Sequence, residues 1–208
     1  MKTLKIVILV VLFVLITLKS KSQSFQFGLK AGISQTYVLN YDVKNFSIPN
    51  STNGYLIGAF TKIGFAGMFV NPEVYFRNFS LPVESNTNST SSIVSNTSLN
   101  YIDVPVLFGK KLFRFFSLSA GPNFQFLINK QISNSNQNVL GNGEFNDFVL
   151  GAQLGAGLDI WRLTFDFRYD FSINTIGKIA NTINNSNVDF SSRTSMLQFK
   201  IGYKFVDF

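Results

Sequence analysis

Hydrophobic and polar residues alternate along most of the chain, with the period of a strand that has two different faces. Phe25, Phe27, Leu29, Ala31 and Ile33 share one parity, and Gln26, Gly28, Lys30, Gly32 and Ser34 the other. The alternation recurs around 55–63, 68–77, 101–108, 116–126, 148–160, 162–171 and 197–205, which makes eight segments. Leu56 and Phe60 blur the second of them. A strand tilted near 45° needs roughly 11 residues to cross an apolar band about 25 Å tall, and most segments are that long. Connections alternate in length as well. Gly64–Ala66, Gly109–Arg114 and the Trp161 region are expected to be tight turns. Residues 36–53, 78–98, 129–147 and 174–192, rich in Asn, Ser and Thr, are expected to be long loops.

A soluble barrel or sandwich could alternate too, so the two faces must be compared. One face is bulky, Phe-rich and almost free of charge in all segments. The other mixes glycines with Lys30, Lys62, Arg77, Arg168, Lys200 and Lys204 and with Glu73, Asp103, Asp159, Asp166 and Asp170. A soluble barrel puts its large apolar side chains inside; a membrane barrel inverts this and lines its lumen with the polar face. The near balance of the charges suits an interior, where each ion needs a partner. The expected fold is an all-β, closed, antiparallel up-and-down transmembrane barrel of about eight strands. A soluble ligand-binding barrel of the lipocalin kind is the alternative, and it requires the apolar face inside.

The leader and the composition sharpen this. Lys2 and Lys5 precede an apolar run from Ile6 to Leu18, broken only by Thr17, and Ser20-Lys21-Ser22 follows. That is the pattern of a signal peptide, assigned to residues 1–22, with the barrel occupying 23–208. Four lysines leave with the leader, so 14 basic residues face 11 acidic ones and the net charge falls from +7 to +3. No basic stripe is left to suggest a nucleic-acid partner. With no Cys, disulfide and thiolate-metal chemistry are excluded, and with no His a Ser-His-Asp triad loses a member. A non-enzymatic protein without a cofactor is expected.

The chain resembles the small outer-membrane β-barrel proteins of Bacteroidota grouped with PorT. The resemblance rests on Phe27-Gly28-Leu29-Lys30-Ala31-Gly32, Gly58-Ala59-Phe60, Asn71-Pro72-Glu73-Val74-Tyr75-Phe76, the stretch from Tyr101 to Leu107, and Ala120-Gly121-Pro122. It implies an outer-membrane barrel and little about activity.

Candidate residues follow from the polar face. Asp166, Arg168 and Asp170 on one strand face suggest a cation or proton site, or else a structural ion-pair network filling the lumen. Glu73 and Asp103 could form a carboxylate pair or ion pairs with Lys30 or Arg77. Pro72, Pro105 and Pro122 should cause bulges or local breaks, because Pro lacks a ladder donor. Trp161, Tyr37, Tyr41, Tyr55, Tyr101, Tyr169 and Tyr203 are candidates for interface girdles. Phe208, a terminal aromatic after an alternating strand, is a candidate signal for barrel-assembly machinery. Expected partners are outer-membrane lipid, that machinery during insertion, and an envelope or surface protein at the loops. Both chain ends are expected in the periplasm.

Overall fold

The computed structural model describes residues 23–39, 46–47, 51–87, 90–134, 144–174, 177–183, 186–191 and 193–208. The proposed signal peptide and Tyr41 lie outside them. Eight long strands form the wall: β1 (Gln23–Leu39), β2 (Ser51–Phe65), β3 (Met68–Thr87) and β4 (Thr90–Lys111) in the first half. β5 (Phe116–Asn134), β6 (Phe148–Ile160), β7 (Leu163–Ser172) and β8 (Arg193–Asp207) complete it. Each strand pairs antiparallel with its neighbours in sequence, and β1 pairs with β8, so the sheet closes on itself. Closure gives every wall strand two neighbours, which is what lipid demands of a spanning sheet.

The wall bonds begin and end at one rim. Gln23 faces Phe65 across the β1–β2 ladder, and Gln26 faces Asp207 across the β1–β8 seam. Phe25 and Phe208 exchange backbone bonds of 2.6 and 3.1 Å. The three short turns close the same rim. Ala66 and Gly67 form a two-residue hairpin turn with φ of 51° and 80°, a type I′ geometry. Trp161 takes φ 52° in the third short turn, the two-residue hairpin between Ile160 and Leu163. Ala66 is exposed, so Ala66→Gly removes left-handed strain without losing packing. The left-handed cost of about 1–2 kcal/mol less the chain entropy of Gly, about 0.5–1 kcal/mol, predicts a gain of about 0.5–1 kcal/mol. A higher urea midpoint for the refolded barrel checks it.

The other rim differs from the expected four long loops. β3 and β4 continue as a paired hairpin to Thr87↔Thr90, through most of 78–98. β1 runs to Leu39 and β2 begins at Ser51, which narrows 36–53. β5 runs to Asn134, into 129–147, and 174–192 contains a hairpin of Gly177–Ile183 with Ser186–Ser191. The reason is physical: beyond the lipid the outward face need not be apolar, so the hydrophobic period stops while backbone pairing continues. At about 3.3 Å per residue and 45° tilt, the nine or so residues of β3 in excess of a crossing add roughly 20 Å of wall. β6, with 13 residues, barely exceeds a crossing, and β7, with 10, only about makes one. The rim is therefore uneven.

The prolines produce breaks, not bulges. Pairing steps from Phe60↔Glu73 to Ile63↔Val70, from Pro72↔Val106 to Tyr75↔Asp103, and from Pro105↔Asn123 to Phe108↔Ala120. Each gap borders one of Pro72, Pro105 and Pro122, and the register is the same on both sides. The register shifts fall elsewhere, at Phe27/Gly28, Val83/Glu84 and Asn100/Tyr101.

Candidate functional site: the charged lumen

Parity along each strand decides what the lumen contains. On β7, Thr164, Asp166, Arg168, Asp170 and Ser172 are buried, while Leu163, Phe167, Tyr169 and Phe171 are exposed. On β8, Gln198, Lys200, Gly202 and Lys204 point in, and Phe199, Ile201, Tyr203 and Phe205 point out. All eleven charged residues expected in the lumen lie there, and only Asp159 among them is less than fully buried.

The middle of the lumen centres on Glu73. Its Oε1 accepts from Lys30 Nζ at 2.8 Å, Asn71 Nδ2 at 2.8 Å and Arg168 Nη2 at 2.9 Å. Its Oε2 accepts from the Tyr75 hydroxyl at 2.9 Å, and Lys200 Nζ stands 3.8 Å away. Asp166 bridges the same cations, with Oδ2 2.7 Å from Lys30 Nζ and Oδ1 3.0 Å from Arg168 Nη2. Rings cover the ammonium groups: Lys30 lies 4.1 Å from the centroid of Phe60 and Lys200 4.3 Å from that of Tyr75. Gly58 makes room for this, since a Cβ there would come within 2.6 Å of the Tyr75 ring and 2.8 Å of its Cα.

Toward the longer-strand rim, Arg77 donates to Asp103 through Nε at 2.6 Å and Nη2 at 3.2 Å, and to Gln125 Oε1 at 3.0 Å. Its guanidinium lies 5.0 Å from the Phe79 centroid and 4.8 Å from that of Tyr101. Asp170 has no salt bridge among the described residues. Instead it accepts from Asn123 at 2.5 Å, Gln153 at 2.7 Å and Gln125 at 3.4 Å. Toward the short-turn rim, Lys62 pairs with Asp159 and Lys204 with Asp207, both at 2.9 Å.

The charge is thus layered. Arg77 against Asp103 and Asp170 leaves −1; Lys30, Arg168 and Lys200 against Glu73 and Asp166 leaves +1; Lys62 and Lys204 against Asp159 and Asp207 balance. Glu73 and Asp103 each engage their own cation, so the ion-pair alternative holds and the carboxylate-pair alternative does not. Arg168 Nε and Nη1 and Lys200 Nζ form no hydrogen bond with the described residues, and the same is true of Asn123 Oδ1 and Gln153 Oε1.

Sequence reasoning missed the apolar part of the filling. Leu56, Phe60, Phe69, Leu107 and Met196 are buried, and so are Phe79, Leu99 and Val149, which cluster with Tyr101. The signal was available: Phe60 shares the parity of Lys62, Phe69 that of Asn71 and Phe79 that of Arg77. Tyr101 also packs inside, at 1% exposure, and belongs to no girdle; Trp161, Tyr55, Tyr169 and Tyr203 are exposed on the outer side. Phe208 is exposed, with its ring 5.5 Å from that of Phe25. Among the described residues no group of acidic side chains is arranged to hold a metal ion.

An apolar belt wrapped around a buried, ion-paired interior defines a transmembrane β-barrel of the outer-membrane type, and this charged, packed lumen is not the apolar pocket that a lipocalin-like barrel requires. The chain belongs to the outer membrane protein beta-barrel domain family, whose pattern matches residues 20–177. No curated protein matches it. Among solved structures it is similar to the outer membrane protein AlkL in DMPC lipid bilayers, with 12% identity, 86% of this chain and 90% of that chain covered and a TM-score of 0.50. It is also similar to Ail, the attachment invasion locus protein of Yersinia pestis (11% identity, 89% and 100% covered, TM-score 0.47), and to OprG from Pseudomonas aeruginosa (12%, 88% and 95%, 0.48). At these identities the likeness is one of fold.

Proposed function

We propose that this chain is a non-enzymatic outer-membrane barrel that works as a scaffold, its function lying in what the longer-strand rim presents at the cell surface to an envelope or surface protein. One observation carries this reading: the ion-pair network crosses the lumen, from Lys30 on β1 through Glu73 on β3 to Asp166 and Arg168 on β7 and Lys200 on β8, every member at most 6% exposed. An eight-strand interior has room for little besides its own side chains. The short-turn rim, with both described chain ends, then faces the periplasm, where barrel-assembly machinery would meet Phe208. The resemblance of its motifs to the PorT group supports an outer-membrane barrel, and the short turns on the rim that carries both described ends support the orientation. No cofactor or nucleic acid enters this reading.

The test is conductance in planar bilayers, where the purified protein should show no large, stable openings. Such openings would sink the scaffold reading. A second reading, a narrow channel or transport accessory, is favoured by the unbonded polar atoms of Arg168, Lys200, Asn123 and Gln153, which water would satisfy. If small steps are seen, Asp166→Asn with Asp170→Asn should shift their ion selectivity, and an unchanged selectivity would dismiss this path.

A further inference from the structure

The outer wall near the short-turn rim carries a feature that the lumen does not explain. A groove of about 680 Å³ crosses from β3 to β7, walled by Met68, Phe108, Leu154 and Phe167 over a floor that includes Ala120 and Ala156. Lys110 lines it and is exposed, on the lipid-facing parity of Phe108. One residue beyond Lys110, after Lys111 ends β4, the chain enters the β4–β5 turn, Leu112-Phe113-Arg114-Phe115. Leu112, Phe113 and Phe115 are 47%, 65% and 56% exposed, and the rings of the two Phe stack at 6.3 Å. Arg114 between them is exposed as well.

Exposed aromatics and cations together at a barrel rim have the composition of a membrane interface, where rings enter the acyl boundary and cations meet phosphate. The apolar groove continues from this turn toward the middle of the belt. We propose that the groove and turn bind one anionic phospholipid of the adjacent leaflet, an acyl chain in the groove and the headgroup phosphate on Lys110 and Arg114. Charge complementarity chooses the occupant: a second barrel copy would bring its own cationic turn to the same spot. The site does not depend on the scaffold reading, only on the barrel being in lipid.

Native mass spectrometry of the protein released from nanodiscs of equal phosphatidylglycerol and phosphatidylcholine tests it. The expected result is one retained phosphatidylglycerol. Each cation near a membrane surface is worth about 5-fold, so Lys110→Gln with Arg114→Gln should cut retention roughly 30-fold. Ala156→Phe, which fills the groove floor, should also lose the lipid. Ala120→Phe replaces it if the first lacks the heat-dependent gel shift of a closed barrel. Equal retention of the two lipids, or wild-type retention in the charge variant or in a folded groove variant, would overturn the proposal.

Discussion

Replacing Glu73 by Gln lowers the stability of the folded barrel by roughly 3–5 kcal/mol, the cost of breaking a buried pair from one side. The change is nearly isosteric, so the loss is one of charge. Lys30 and Arg168 each lose an ionic contact shorter than 3.0 Å, and Lys200 loses the carboxylate at 3.8 Å. Asp166 then faces three cations alone. Urea unfolding in lipid vesicles reads the effect. Adding Lys200→Met removes one uncompensated cation, so the double variant should be less destabilised than the sum of the singles. Additive losses would mean that the three cations are not coupled through Glu73.

The second large effect lies one residue along β8 from Lys200. Ile201 is 47% exposed on the outer wall, paired with Ala31 on one side and Phe165 on the other. Ile201→Arg should cost about 2–4 kcal/mol, the penalty for a cation near the bilayer midplane, while Ile201→Val changes little. Lys200 occupies nearly the same depth without that penalty because it points inward. Urea midpoints in vesicles measure both variants. A tolerated Arg at 201 would show that this face does not meet lipid.

These two neighbours also mark what could be read from the amino-acid order. Face assignment needs only parity, and parity is local: the run from Leu163 to Ser172 sorts Asp166, Arg168 and Asp170 from Phe167 and Tyr169 with no structure. Closure followed from the need to pair every strand edge within lipid, and the shared rim from the alternation of short and long connections. The far halves of β3 and β4 were hidden, because outside lipid Asn, Ser and Thr serve equally well in strand and loop. Ion pairing was only partly legible. Lys30 with Glu73 and Arg77 with Asp103 were among the candidates. The bridge from Lys30 to Asp166 depends on the stagger of strands around the closed wall, which no local pattern encodes. The lumen aromatics were legible from parity but overlooked, since an apolar side chain in a polar file reads as noise until the file is followed to its end.

The seam between β1 and β8 has a consequence for how the protein comes to exist. Its pairs, such as Gln26 with Asp207, join residues at opposite ends of the wall's sequence. Until β8 has been synthesised, β1 presents an open edge, and no sub-assembly of hairpins can hide it. Large loop-closure entropy is spent on this last ladder, and contacts so distant in sequence slow folding. The wall therefore cannot mature strand by strand during export. The whole polypeptide must arrive unfolded and shielded from its own kind, and folding and membrane entry become a single terminal event.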